Sequence, residues 1–157
     1  KDMLVSFDPN LRPTLWESEE VMIQTINDIA SKADIVLPGT GEGKILMGSE
    51  KPEEIAEFYR KNGAKAVIIK TGGDGAYADW EGGKAFYPGY KVKEVVDTVG
   101  AGDGFAVGIL SAWLEGEKMP EMVDRGNAIG SIQVSVASDN EGLPTKEELD
   151  AYMKGAK

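Results

Sequence analysis

The run Asp97-Thr98-Val99-Gly100-Ala101-Gly102-Asp103-Gly104 holds the residues best suited to chemistry. Small residues at 100 to 102 let the backbone turn tightly and approach a ligand closely. Phe105, Ile109, Leu110 and Trp113 follow at helical spacing, so a helix is expected to begin at the glycines. A helix start offers unpaired N–H groups and a partial positive charge, and so forms a cradle for an anion. Asp103 stands at the mouth of that cradle. A carboxylate there repels a phosphate and makes a poor ligand for it. It makes a suitable base for an alcohol that attacks the phosphate. Phosphoryl transfer needs such a positioned proton acceptor, and it needs charge stabilisation on the transferred oxygens. An isolated Gly-x-Gly-Asp would be read as a glycine turn with an acidic helix cap. The full octet, between a strand expected at Lys91 to Val96 and an apolar helix, favours the cradle.

Composition narrows the chemistry further. The 157 residues fit one domain, with a formal net charge of −10 from 27 acidic and 17 basic residues. No basic patch stands out, which argues against nucleic acid as a partner. There is no Cys, so disulfides, thiolate nucleophiles and Cys-ligated zinc are excluded. There is no His, so Ser-His-Asp triads and His-based metal sites are excluded as well. Acid–base work must rest on carboxylates, Lys or Tyr, and a hard cation on oxygen ligands stays open. Gly43-Lys44 is followed by Ile45, so there is no P-loop, and no Gly-x-Gly-x-x-Gly is present. No signal peptide and no membrane-length apolar run is visible, so a soluble cytoplasmic protein without membrane partners is expected.

The elements around the octet alternate. Met3-Leu4-Val5-Ser6-Phe7 reads as a buried strand, Leu4 to Phe7 at its heart. Ser18 suits the cap of a helix with Met22, Ile26, Ile29 and Ala33 on one face. Ile35 to Leu37 reads as a short strand. Pro52 suits a helix start, with Ile55, Phe58 and Tyr59 facing the core and Gly63 as its stop. Ala66 to Ile69 reads as a strand, with Gly72, Gly73 and Gly75 after it. Ala76 to Trp80 and Ala85 to Tyr87 form a hairpin about Glu81-Gly82-Gly83-Lys84. Pro120 opens a helix through Met122, Ile129, Ile132 and Val136, and Thr145 with Glu148 makes a capping box for the last helix. Strands alternating with helices predict an α/β layer fold with a largely parallel sheet.

The segment Asp97 to Asp103 resembles the C-terminal signature of the PfkB, or ribokinase-like, carbohydrate kinases. Asp8-Pro9-Asn10-Leu11-Arg12-Pro13-Thr14-Leu15-Trp16 and Asp139-Asn140-Glu141-Gly142-Leu143-Pro144 are similar to the 2-keto-3-deoxygluconate kinase branch. The resemblance implies ATP-dependent transfer of the γ-phosphoryl group to a sugar hydroxyl, with Asp103 as base and the N–H groups of Gly100, Ala101 and Gly102 as anion hole. It implies a nucleotide loop at Gly72 and Gly75, with Lys70 near phosphates and Asn127 near the adenosine. The bland readings beside these are a strand-to-hairpin turn, a surface lysine and a helix-face amide. Arg12 and Asp139 are implied on the substrate side, against a surface arginine and a loop aspartate. For metals, Glu42 is implied in Mg²⁺ and phosphate placement, and Asp97, otherwise a turn aspartate, beside a monovalent cation such as K⁺.

Three departures from the family pattern stand out. The family's Asn-x-x-Glu is here Gly39-Thr40-Gly41-Glu42, without the Asn. Ser138 stands where a glycine usually precedes Asp139. The N-terminal half and the β lid, through which family dimers form, have no counterpart. Residues 1–157 are therefore expected to be the C-terminal nucleotide-binding and catalytic part of a ribokinase-like domain. The longer protein is expected to be a homo-oligomer, and turnover by this chain alone is expected to be poor. Fructose, ribose or a nucleoside as acceptor, and a nucleotide-binding piece without catalysis, are the competing readings.

Overall fold

The structure is a computed structural model and describes residues 3–137 and 142–155. The chain divides into two compact units, Lys1–Thr71 with Tyr77–Phe86, and Gly72–Ala76 with Tyr87–Lys157.

The first unit is built on strands β1 (Ser6–Phe7), β2 (Ile35–Val36), β3 (Ala66–Lys70), β4 (Gly75–Trp80) and β5 (Gly83–Pro88), in that order across one sheet. The first two residues of β4 and the last two of β5 are counted with the second unit. β1, β2 and β3 run parallel, with Ser6 opposite Ile35 and Ile35 opposite Ala66. Parallel neighbours need long crossovers, and helices supply them: α1 (Glu19–Ala30), then α2 (Thr40–Met47) and α3 (Pro52–Lys61). The turn at Glu81 and Gly82 is too short for a crossover, so β4 and β5 form the expected hairpin. The fold class is thus the expected one.

Local chemistry explains the helix ends. Ser18 Oγ accepts the Val21 N–H at 3.2 Å, as a cap should. Pro52 opens α3, and Ile55, Ala56 and Tyr59 pack with Val36, Val67 and Ile69 in the core. Met22, Ile26 and Leu46 form a second cluster, joined by Phe7 and Trp16.

Three expectations are corrected here. Ile29 is 44 % exposed, and Ala30 takes the inward place. Met3 and Val5 are exposed, and β1 is only the pair Ser6–Phe7. The helix α2 has no counterpart in the sequence reading, because Gly41 and Gly43 are weak helix formers. Gly43 is needed there: a Cβ on it would lie 2.3 Å from Ile55 Cδ1.

The second unit is helical: α4 (Ala101–Leu114), α5 (Met119–Gln133) and α6 (Lys146–Gly155). Phe105 and Ile109 of α4 are buried, as are Met122, Val123 and Ile129 of α5. At the crossing of α4 and α5 the two backbones touch. A Cβ on Gly108 would sit 2.6 Å from Gly126 Cα and 2.7 Å from Arg125 O. Thr145 and Glu148 form the expected box: Glu148 Oε2 accepts the Thr145 N–H at 2.8 Å, and Thr145 Oγ1 accepts the Glu148 N–H at 3.3 Å.

Here too some expectations fail. Residues 91–96 form no strand. Val95 and Val96 are more than half exposed, and a β-branched run without a sheet neighbour has nothing to pair with. Trp113 is 41 % exposed although it sits on α4, and Val136 lies beyond the end of α5. No helix among the described residues is long and apolar enough to cross a membrane.

Candidate active site

In the second unit the site is a helix start. Gly100 is the N-cap of α4, at φ 77°, a left-handed value that glycine adopts without strain. Asp97 shapes the turn before it: Oδ1 accepts the Val99 N–H at 3.0 Å. The Ala101 N–H reaches Thr98 O at 3.3 Å, and the Gly104 N–H bonds Gly100 O at 2.8 Å. The N–H groups of Gly100, Gly102 and Asp103 meet no protein acceptor among the described residues. They are the orphan donors of a helix N-terminus. The Asp103 carboxylate is exposed in that same first turn and has no hydrogen-bond or ion-pair partner among the described residues. The helix below is fixed by the Gly108–Gly126 contact and by Gly104, whose Cβ would lie 3.3 Å from Ile129 Cγ2.

The glycine loop lies in this unit. Gly72–Asp74 form one 3₁₀ turn, with Gly72 at φ 66° and open space where a Cβ would stand. Gly75 is closed in instead: at φ 125°, its Cβ would meet Tyr87 O at 2.1 Å. Asn127 is buried, and its Nδ2 donates to Tyr87 O and Pro88 O, each at 3.2 Å. Its amide donors therefore tie α5 to the end of β5. Asp139 lies outside the described residues.

In the first unit a loop of polar groups follows β1. Lys70 Nζ pairs with Asp8 Oδ2, both side chains about four-fifths buried. Asp8 Oδ1 accepts the Asn10 N–H at 3.3 Å. Glu42 in the first turn of α2 uses both oxygens on backbone: Oε2 accepts the Gly39 N–H at 2.7 Å and Oε1 the Leu11 N–H at 3.0 Å. It thereby ties the loop to α2. Arg12 Nη1 donates to Asn10 Oδ1 at 2.7 Å and to Leu11 O at 3.0 Å. Burial pushes the Asp8 carboxyl above its ordinary value, Lys70 pulls it back, and Glu42 adds to the rise.

The structure thus gathers Lys70, Glu42 and Arg12 around one loop, together with two residues the sequence reading did not single out, Asp8 and Asn10. The motif that begins at Asp8 marked this loop, but the pairing of Asp8 with a lysine 62 positions away could not be read from it. No group of three or more carboxylate, His or Cys side chains among the described residues is placed to hold a metal ion.

The family profile described as pfkB family carbohydrate kinase matches residues 1–146. A 2-dehydro-3-deoxygluconokinase of Bacillus subtilis is 50 % identical over 149 residues, which is 95 % of this chain and 46 % of that protein. A crystal structure of a PfkB protein from Polaromonas sp. is 51 % identical with a TM-score of 0.83, covering 94 % of this chain and 46 % of that one. A fructokinase double mutant from Vibrio cholerae, in a fructose-, ADP- and potassium-bound form, is 25 % identical with a TM-score of 0.86. It covers 96 % of this chain and 50 % of its own. The chain spans about half the length of the relatives it matches.

Proposed function

The chain belongs to the pfkB family of carbohydrate kinases, and from that premise we propose that it carries the catalytic base and anion hole of an ATP-dependent kinase of 2-keto-3-deoxygluconate. One observation carries the reading: a carboxylate, Asp103, without a partner among the described residues, in the same helical turn as backbone donors that none of them bonds. A purely structural acidic cap would bond those donors itself.

In the proposed step Asp103 takes the proton of the sugar hydroxyl as that oxygen attacks the γ-phosphorus of ATP. The new O–P bond forms, the bond from the γ-phosphorus to its bridging oxygen breaks, and ADP leaves with the electron pair. The N–H groups of Gly100 and Gly102 stabilise charge on the transferred oxygens, and Ala101 joins them by exchanging its long bond to Thr98 O. Gly72, with open space on its Cβ side, suits close approach of a nucleotide. Gly75 shapes that loop against Tyr87. Asn127 supports the adenosine side by holding the carbonyls of residues 87 and 88. Lys70 acts near phosphates from its pair with Asp8. Arg12, with the substrate-side Asp139, reads the acid group of the sugar, since a guanidinium fits a carboxylate bidentately.

Mg²⁺ bound with the nucleotide would supply charge neutralisation at the phosphates, and such ions bind through few protein carboxylates. Both Glu42 oxygens hold backbone N–H groups, which fixes the carboxylate for placement of the phosphate side. Asp97 keeps Oδ2 for a monovalent cation such as K⁺, while its Oδ1 holds the turn.

The test is ATP-dependent ADP release with 2-keto-3-deoxygluconate, fructose and ribose, with magnesium and potassium present. Release with the keto-acid sugar alone is expected. Release only with fructose or ribose would overturn the acceptor assigned here.

A further inference from the structure

We propose that Asn10 is a positioning residue for Arg12: it pins one edge of the guanidinium and turns the other toward the carboxylate of an acid sugar. The inference rests on the reading of Arg12 as the group that meets the acid substrate.

Asn10 is the only non-glycine residue with positive φ among the described residues, at 41°. That conformation is unfavourable for most side chains, and Asn tolerates it better than most. Residues held in such states persist where the surroundings over-determine them, often at functional sites. The surroundings here are visible. Asp8 Oδ1 takes the Asn10 N–H, and Glu42 Oε1 takes the N–H of the next residue, Leu11. Between these two carboxylates the backbone has little freedom.

The bend carries a consequence for Arg12. Its Nη1 faces three oxygens of its own loop: Asn10 Oδ1 at 2.7 Å, Leu11 O at 3.0 Å and Asn10 O at 3.4 Å. Nε and Nη2 form no bond within the protein among the described residues. They are the two donors of the guanidinium's side edge, which matches the two oxygens of a carboxylate. An exposed arginine without such a pin would sample many rotamers and lose that freedom on binding. Asn10 removes most of the loss beforehand.

Asn10→Gly separates this role from support of the fold. Glycine accepts positive φ without strain, so the variant should melt at the wild-type temperature or above it. It deletes the nearest of the three acceptors of Nη1, the side-chain oxygen at 2.7 Å, and leaves the two backbone carbonyls. The side-chain Nε–H of Arg12, followed by ¹⁵N relaxation in the chain without ligand, should become markedly more mobile. In calorimetric titrations the preference for 2-keto-3-deoxygluconate over its uncharged methyl ester should fall roughly 3- to 10-fold. Arg12→Ala should abolish the preference.

Unchanged order at Arg12 in Asn10→Gly overturns the proposal, as does an unchanged preference in Asn10→Gly when Arg12→Ala has lost it. In the second case the reading of Arg12 stands. A wild-type chain that binds acid and ester equally, or binds neither, and an Arg12→Ala variant that keeps the preference, both overturn the reading of Arg12 and this proposal with it.

Discussion

Around Arg12 the polar groups answer one another. Asp8 meets Lys70 and Asn10, Glu42 meets Gly39 and Leu11, and Asn10 meets Arg12. At the start of α4 the reverse holds: Asp103 and the N–H groups of Gly100 and Gly102 face no protein partner among the described residues. The first region is shaped by side-chain bonds and keeps only one guanidinium edge open. The second is shaped by backbone packing at Gly104 and Gly108, and it leaves Asp103 and the N–H groups of Gly100 and Gly102 without protein partners among the described residues. Unbonded donors at a helix start favour an anion, which agrees with the role proposed for this turn. The contrast teaches that a loop needs polar bonds to fix its form, whereas a helix start is fixed by what packs beneath it.

The largest expected effect breaks the second region. Asp103→Asn keeps the shape and removes the base. Phosphoryl transfer should fall by on the order of 10²–10⁴-fold, read as ADP release. ATP affinity, read by calorimetry, should hold or rise because one negative charge near the phosphates is gone. A rate that stays unchanged would make Asp103 an ordinary helix cap.

A smaller effect tests what holds that region. Gly108→Ala places a methyl group against Gly126 Cα and Arg125 O. Overpacking of this kind costs roughly 1–3 kcal/mol, measurable by urea unfolding. Full stability in the variant would show that α4 is not fixed by the backbone contact.

The smallest effect sharpens the comparison through pH. Bonds from the Thr145 N–H and hydroxyl hold the Glu148 carboxyl below its ordinary 4.5. Its stabilising contribution is therefore present above that value and lost as pH falls through the folded one. Asp8 is held above its ordinary 3.8, chiefly by burial. Its contribution is present below that value and lost as pH rises through the folded one. Melting temperatures taken across the acid range should show the wild-type advantage over Glu148→Gln growing with pH. The advantage over Asp8→Asn should shrink with pH. Parallel slopes for the two variants would contradict the burial of Asp8.

Much of this was legible in the chain. Ser18 and Thr145 announced their helices, and Glu81-Gly82 its hairpin, because caps and turns are set by near neighbours. The helix start at Asp103 was legible for the same reason. The strand expected at Lys91 to Val96 misled, since a strand requires a neighbour that local sequence does not display. Helix α2 was hidden by its glycines, and the use of one of them, Gly43, emerges only against Ile55. The bonds around Arg12 were legible only in part, because Glu42 and Lys70 join this loop from distant positions.

The exposed face of α4 has an optical consequence. The chain has three tryptophans. Trp16 and Trp80 belong to the first unit, and Trp113 alone belongs to the second, on the helix that Asp103 begins. Its indole is 41 % exposed, so it senses water and dissolved quenchers. With the other two indoles changed to phenyl rings, emission would come from α4 alone. The chain thus has a built-in lamp on the helix that carries its proposed base, readable without any added dye.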